Sequence, residues 1–233
     1  MAAPGAHAAT APAIFDSPHQ DDEAIGLAGS ILEHKASGRP VYLVLVTRGE
    51  NGGLAQYMNQ GACQSLGNNC SAPGHYHALG WAETWPTPEV VVGRTAEFKL
   101  SAKALGVDKV INFDLSDEAS GDFDGFVQKV IAKVRSLAKQ YPGASHKFAA
   151  GRLDGNPTHK ACSDAASSYV LDIPDAHMAK KRASILASNT WDPKRNLYAL
   201  GYRSVPVWME QSHSDPREFV HTLPSDYKPG PVA

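Results

Sequence analysis

Short runs of apolar and β-branched residues alternate along this chain with segments of helical periodicity. The run "VYLVLV" at residues 41–46 is a clear apolar run, and residues 123–141 form the clearest helical segment. Such alternation is typical of βα units built on a mostly parallel sheet. The chain has 233 residues, 42% of them hydrophobic, which suits one compact domain. The sequence therefore predicts a single α/β domain.

The same patterns predict where the elements lie. In the helix at 123–141, four apolar residues fall at helical spacing: Phe126, Val130, Val134 and Leu137. We expect strands at 12–17, 41–47, 108–114, 147–152 and 196–203, and helices at 22–37, 95–106, 123–141 and 158–170.

Three segments do not fit this alternation. Residues 1–11 are expected to be a flexible N-terminal segment, so that the domain covers 12–233. Residues 49–93 are rich in Gly, Asn, Pro and aromatic residues and predict a long loop that shapes a substrate site, or else a disordered insert. The aromatic residues argue against disorder. Residues 214–233 predict a C-terminal tail that wraps the surface.

Charge and motifs exclude several classes of protein. The formal net charge is −2, and Lys and Arg are spread along the chain, so we expect no nucleic acid or anionic lipid as a partner. The apolar runs are too short to span a membrane. The first predicted strand runs into "SPHQDDE" and not into a Gly-x-Gly-x-x-Gly turn, and a Gly-Lys-Ser/Thr phosphate loop is absent, which disfavours a nucleotide-dependent oxidoreductase.

The cellular compartment stays open at this point. The N-terminal "MAAPGAHAATAP" is not an intact signal peptide but fits the remainder of one, so the protein is either secreted or cytoplasmic. Cys63 and Cys70 bracket a Gly/Asn-rich loop. They are either bridged, which would leave Cys162 unpaired, or two free thiols.

Polar residues follow each of the first four predicted strands. The segments are "SPHQDDE", "TRGENGG", "DLSDE" and "GRLDGNPTH". In open α/β sheets, ligands bind beyond the carboxyl ends of the strands. We therefore expect these four segments to form one site at one edge of the sheet.

The segment "SPHQDDE" places one histidine and three acids at the start of the first predicted helix. His19 and Asp22 form a ligand pair that suits zinc or another divalent first-row metal. His159, where a helix begins after the fourth strand, is our choice for a third ligand. Two histidines and one carboxylate leave a coordination position open for water, as in catalytic sites. Asp21 would then act as general base on that water.

These acids also have a simpler explanation. Three acids in the first turn of a helix stabilise it through the helix dipole without any metal. His159 alone is most often a surface histidine. The residue pattern by itself leaves both interpretations open.

A family resemblance favours the metal site. The run "SPHQDDE", with the strand before it and "GLAGSILEHKASGRPVYLVLVTRGE" after it, resembles the LmbE-like, or PIG-L, family of N-deacetylases. The segment "GRTAEFKLSAKALGV" is similar to the Arg-x-x-Glu helix of that family. The resemblance covers roughly residues 12–165. It implies a Rossmann-like, mostly parallel sheet with helices on both faces, a zinc ion held by His19, Asp22 and His159, and a base at Asp21.

The third family block is altered here. It usually reads His-Pro-Asp-His, whereas this chain has "NPTH" at 156–159. Asn156 can still donate an N–H group to a tetrahedral oxyanion, but it cannot protonate a leaving amine. That proton would come from Asp21, or from a histidine elsewhere; the unranked candidates are His75, His77, His213 and His221.

Three further residues are expected to bind substrate. Arg48 and Arg94 would anchor a hydroxyl, carboxylate or phosphate, or else form salt bridges to Glu50 or Glu97. Asp114, at the end of the third strand, would line the pocket or cap a helix.

The function implied by the resemblance is zinc-dependent hydrolysis of an N-acetyl or related N-acyl group. Members of the family act on glucosamine-containing molecules, and some cleave other amides. The aromatic-rich loop fits a sugar-containing or otherwise bulky small-molecule substrate. The alternative is a non-catalytic protein that uses the same fold to bind a ligand or partner, with the altered third block marking lost catalysis.

Overall fold

A mostly parallel sheet forms the centre of the computed structural model, which describes residues 11–59, 79–149, 155–163 and 167–222. Its six strands in the described residues are β1 (Ala13–Ser17), β2 (Val41–Thr47), β3 (Lys109–Leu115), β4 (Ser145–Ala149), β5 (Ser167–Asp172) and β8 (Arg217–Thr222). Their order is β3-β2-β1-β4-β8-β5, and β1 pairs in parallel with both β2 and β4. β8 is antiparallel to its two neighbours.

Helices connect the strands. A π-helical turn at Glu23–Leu27 leads into α1 (Ala28–Ala36), and the others are α2 (Gly52–Asn59), α3 (Pro88–Leu105), α4 (Phe123–Gln140), α5 (Pro157–Ser163), α6 (Asp175–Ala187), α7 (Leu200–Ser204) and α8 (Pro206–Ser214). A short hairpin of β6 (Trp191–Asp192) and β7 (Leu197–Tyr198) precedes α7. In the described part of the chain, each helix is too short or too polar to cross a membrane.

Both faces of the sheet are covered by helices. On β1, Phe15 packs with residues of α1 and α3, whereas its neighbour Ile14 packs with residues of α4 and α5. Both side chains are fully buried. Because successive side chains of a strand point to opposite faces, the two cores lie on opposite sides of one sheet. This confirms the predicted α/β fold with helices on both faces.

The first two strands and the helix α4 are predicted well. α4 begins where Asp122 caps it, since the Asp122 carboxylate accepts a hydrogen bond of 3.0 Å from the Gly125 amide. Phe126, Val130 and Leu137 on one face of this helix are buried, as their spacing predicts.

Several predicted boundaries are wrong. The predicted strand at 196–203 contains only the two residues of β7, because α7 begins at Leu200. The predicted helix at 158–170 ends at Ser163, and β5 begins at Ser167. The helix expected at 95–106 begins at Pro88, and its N-terminal residues belonged to the predicted loop 49–93, which also contains α2.

The C-terminal prediction is wrong in part. The predicted tail at 214–233 contributes β8, which inserts between β4 and β5 in the sheet. The helical periodicity of the sequence did not predict α6 or α8. The rest of the tail from residue 223, the N-terminal residues 1–10 and the loop 60–78, with Cys63 and Cys70, lie outside the described residues.

Helix α3 holds the segment that follows the short hairpin. The Glu97 carboxylate is buried and accepts hydrogen bonds of 2.9, 2.9 and 3.0 Å from the amides of Tyr198, Leu200 and Gly201. Ala199 within this segment has a left-handed backbone with φ of 55°. Three hydrogen bonds stabilise that turn, so Glu97 helps to fix where α7 begins.

We expect Glu97 to make stability depend on pH. Burial raises the pKa of Glu97 to about 7 from its ordinary value of 4.5, despite its three amide donors. A group whose pKa rises on folding stabilises the protein below its unfolded pKa, and this contribution is lost as pH rises through the folded pKa. Relative to Glu97→Gln, wild type should lose up to about 3 kcal/mol of unfolding free energy between about pH 4.5 and pH 7.

Chemical denaturation of both proteins across this pH range measures the difference. Glu89→Gln, at a partly exposed position in the first turn of α3, is the matched control. A difference between wild type and Glu97→Gln that stays constant with pH would contradict the expectation.

Candidate active site

The segment after β1 is held in place by its own hydrogen bonds. The Ser17 hydroxyl donates to the carbonyl of His19 at 2.8 Å, and the Thr47 hydroxyl on β2 donates to the carbonyl of Pro18 at 2.9 Å. Asp21 has a φ of 121°, which is strained for a residue other than glycine. Asp22 follows as the residue that immediately precedes the π-helical turn. The backbone after β1 is therefore fixed before any ligand binds.

Three side-chain atoms converge beyond the carboxyl end of β1. The Nδ1 atom of His19 lies 3.0 Å from Nε2 of His159 and 3.5 Å from Oδ2 of Asp22, and Nε2 of His159 lies 3.2 Å from that same Oδ2. His159 comes from α5 and the other two residues from the turn after β1. The structure thus brings the three predicted metal ligands together, although their role stays a prediction.

This triangle of atoms fits a tetrahedral metal. Two ligands on one zinc ion, each bonded at about 2.0–2.2 Å, lie roughly 3.3–3.6 Å apart. The three observed separations of 3.0, 3.2 and 3.5 Å are close to that value. Two imidazoles and one carboxylate also match the ligand set of catalytic zinc sites. The residues present therefore fit zinc.

The electrostatics of the triangle favour a cation. Burial opposes charge on Asp22, but His159 and His19 outweigh it and lower the pKa of Asp22 below its ordinary value. Burial likewise opposes charge on His19, while Asp117 and Asp22 outweigh it and raise the pKa of His19. Two imidazole nitrogens 3.0 Å apart need a proton between them to attract each other. A metal ion would replace that proton.

Asp21 is not one of the three converging residues. Its Oδ2 accepts a hydrogen bond of 3.1 Å from Arg94, and both side chains are buried. The Arg94 guanidinium also donates to the carbonyls of Gln20 at 2.9 Å and Gly49 at 3.3 Å. Burial raises the pKa of Asp21 even though the charge of Arg94 opposes this. Arg94 therefore anchors the backbone around Asp21 and orients the Asp21 carboxylate. The salt-bridge partner of Arg94 is thus Asp21 and not Glu97, which was the alternative considered from the sequence.

Asp117 is a member of the site that the sequence did not single out. Its Oδ2 lies 3.0 Å from Nε2 of His19, and its Oδ1 accepts a hydrogen bond of 2.6 Å from the Thr158 hydroxyl. A carboxylate on the second ring nitrogen keeps the first as the lone-pair donor toward a metal. The sequence signal that could have indicated Asp117 was the position of the segment "DLSDE" at the end of β3.

The altered block "NPTH" is explained in part by Asp117. The Asn156 Oδ1 accepts a hydrogen bond of 2.8 Å from the Thr158 amide, so Asn156 caps α5. The Thr158 hydroxyl donates to Asp117. An aspartate at position 158, as in the usual family block, would place two carboxylates in contact. The threonine is therefore the compatible residue beside Asp117.

A cavity of about 250 Å³ opens over these residues. Its lining includes His19, Asp21, Asp22, Asn51, Arg94, Asp117, Asn156, His159, Ser204, Val205 and Trp208. Six of the predicted site residues therefore share one cavity. Asn51, Asp117 and the three residues after position 203 were not predicted.

Arg48 and Asp114 lie elsewhere. Both line a separate cleft of about 480 Å³ beside α3. The Arg48 Nε atom is 2.7 Å from the Glu50 carboxylate. The structure therefore contains the salt bridge that was the alternative to substrate binding by Arg48. The guanidinium also lies 6.0 Å from the ring centre of Trp85. Substrate binding by Arg48 and Asp114 stays a prediction.

Among the histidines considered as proton donors, those in the described part of the chain are not among the residues that line the cavity. His213 lies on α8 and does not line the cavity. His75 and His77 lie outside the described residues, and His221 is on β8.

The described residues form an α/β fold in which a His–Asp–His cluster, with ligand atoms close enough to hold one metal ion, lies at the strand ends. A family model described as "PIG-L: GlcNAc-PI de-N-acetylase" matches residues 14–170, about two thirds of the chain. The chain belongs to the PIG-L family, as the resemblance predicted. A search of curated proteins found no match.

Solved structures share the fold at low sequence identity. The A40926 pseudoaglycone deacetylase Dbv21 is 12% identical with a TM-score of 0.54, covering 94% of this chain and 99% of its own. The N,N'-diacetylchitobiose deacetylase from Pyrococcus horikoshii is 17% identical with a TM-score of 0.50, covering 91% and 84%. The conserved protein TT1542 from Thermus thermophilus is 18% identical with a TM-score of 0.54, covering 96% and 100%.

Asp117 should strengthen zinc binding through His19. Replacing a carboxylate that bonds a metal-ligating histidine typically weakens metal affinity by about 10- to 100-fold. We expect Asp117→Asn to show a loss of this size in a competition titration with a zinc chelator. Glu118→Gln, which alters the neighbouring exposed carboxylate, is the control and should bind zinc like wild type. Equal affinity of Asp117→Asn and wild type would contradict this role.

Proposed function

We propose that this protein is a zinc-dependent hydrolase that removes an N-acetyl or related N-acyl group from an amino-sugar-containing or similar small molecule. The observation that carries the proposal is the convergence of His19, Asp22 and His159 beside a second buried carboxylate, Asp21, in one cavity. Membership of the PIG-L family supports it. So does the fold shared with proteins described as deacetylases of A40926 pseudoaglycone and of N,N'-diacetylchitobiose.

The metal would be held by Nδ1 of His19, Oδ2 of Asp22 and Nε2 of His159. When bound, zinc supplies a Lewis acid that polarises the acyl carbonyl and makes water a better nucleophile near neutral pH. The remaining steps are performed by side chains of the chain itself.

Asp21 is the proposed general base. It is adjacent to Asp22 in sequence and lines the same cavity, yet its carboxylate bonds Arg94 and not the histidines. It would accept the proton of the attacking water. Arg94 bonds one oxygen of the Asp21 carboxylate and so fixes this side chain. The second carboxylate oxygen is thereby held in one orientation, which keeps the base aligned for each turnover.

Asn156 is the proposed oxyanion donor. Its Oδ1 is turned toward the amides of α5, and its side chain lines the cavity. We assign its Nδ2 group as the donor to the oxyanion of the tetrahedral intermediate. A neutral amide cannot supply a proton to the leaving amine, so Asp21 would return the proton that it took from water.

An acetate-release assay on N-acetylated sugars tests the function. Zinc-loaded wild type should release acetate from at least one of N-acetylglucosamine and N,N'-diacetylchitobiose. Asp21→Asn should retain zinc but lower turnover by on the order of 100-fold or more, because it removes the base without removing a ligand. Asp22→Asn should lose zinc instead.

The outcomes separate the two carboxylates and the two functions. Equal zinc loss in Asp21→Asn and Asp22→Asn would reject the assignment of base and ligand. Wild type that holds zinc yet releases no acetate from a broad panel of N-acylated compounds would favour the non-catalytic binding protein.

A further inference from the structure

The cavity over the converging residues has two chemically different walls. One wall carries the charged and polar side chains from the strand ends. The second group of lining residues, called the apolar wall after its valine and indole, is Ser204, Val205 and Trp208, from α7, the residue that follows it, and α8. Trp208 is 44% exposed although it lines the cavity. A cavity that is polar on one side and apolar on the other suits a ligand with the same division.

The apolar wall is rigidly built. Glu97 fixes the turn before α7 through three amides. A side chain at Gly201 would approach the Ser188 Cβ to 2.6 Å, so α7 packs directly against the end of α6. The Tyr202 hydroxyl donates to Glu210 at 2.7 Å and joins α7 to α8. Trp208 is therefore presented from an ordered support.

This wall lies outside the part of the chain that matches the family. The match covers residues 14–170, whereas Ser204, Val205 and Trp208 follow it. The family match therefore assigns no role to these residues.

The volume of the cavity limits what it can enclose. Ligand pockets commonly measure about 300–1,000 Å³, and this cavity measures about 250 Å³. It has room for an acyl group and about one sugar ring. The rest of a larger substrate would lie outside, past the exposed indole of Trp208.

We propose that Trp208 determines substrate specificity by stacking its indole on the apolar face of a sugar ring whose acylamino group reaches His19, Asp22 and His159. This rests on the proposed function. A pyranose ring presents C–H groups on its face and hydroxyls at its edge. The C–H groups suit the electron-rich face of an indole, while the hydroxyls face the polar wall.

The test compares a sugar with an acyclic amide. In zinc-loaded protein, Trp208→Ala should raise KM for N-acetylglucosamine by about 2- to 12-fold with little change in kcat, since stacking adds about 0.5–1.5 kcal/mol. Trp208→Phe should fall between wild type and Trp208→Ala. KM for N-acetylethanolamine, which has no ring, should not change.

A binding measurement makes the test independent of turnover. Saturation-transfer NMR with N-acetylglucosamine should show transfer to the ring C–H protons in wild type and its loss in Trp208→Ala. Val207→Ala is the matched control, because Val207 is 60% exposed on the same helix but does not line the cavity.

The outcomes distinguish the two proposals. Sugar binding that depends on Trp208, together with no acetate release by wild type, would reject the hydrolase and leave the stacking site in place. Failure of N-acetylglucosamine to bind wild type would overturn the stacking site. So would equal effects of Trp208→Ala on the sugar and on N-acetylethanolamine.

Discussion

Two imidazoles and a carboxylate meet within hydrogen-bond distance in a buried site, and the architecture around them maintains that contact. The carboxylate of Asp22 is next to a second buried acid, Asp21, so like charges are concentrated in one turn. The turn divides them: Asp22 faces His19 and His159, while Asp21 faces Arg94. Each acid therefore has its own side-chain partners. That separation allows one carboxylate to act as a metal ligand and the other as a base.

Helix α3 connects this site to the opposite wall of the cavity. Arg94 and Glu97 lie one turn apart on its buried face. Arg94 bonds the backbone around Asp21, and Glu97 bonds the backbone that leads into α7. The Arg-x-x-Glu pattern therefore joins the side of the cavity that holds Asp21 to the side that we propose contacts the sugar. A single rigid helix sets the distance between them.

The sequence predicted the parts of the fold and site that depend on local pattern. Apolar runs located β1 and β2, and the segment "SPHQDDE" at a strand end indicated His19, Asp21 and Asp22 as a group. Asp117 was missed because its role depends on contacts with His19 and Thr158, which are 98 and 41 positions away. The wall from Ser204 to Trp208 was missed for a related reason: the run 196–203 reads as a strand. Its distant contacts, among them the hydrogen bonds of the Tyr198, Leu200 and Gly201 amides to Glu97, are not visible in that local pattern.

The central claim is that His19, Asp22 and His159 hold one zinc ion while Asp21 does not. A crystal structure of zinc-loaded protein, with anomalous diffraction recorded on both sides of the zinc absorption edge, tests this directly. The account predicts one strong zinc peak at about 2.0–2.2 Å from Nδ1 of His19, Oδ2 of Asp22 and Nε2 of His159. The Asp21 carboxylate should lie outside bonding distance and remain paired with Arg94. A zinc ion bonded to Asp21 in place of Asp22, or the absence of a peak among these residues, would contradict it.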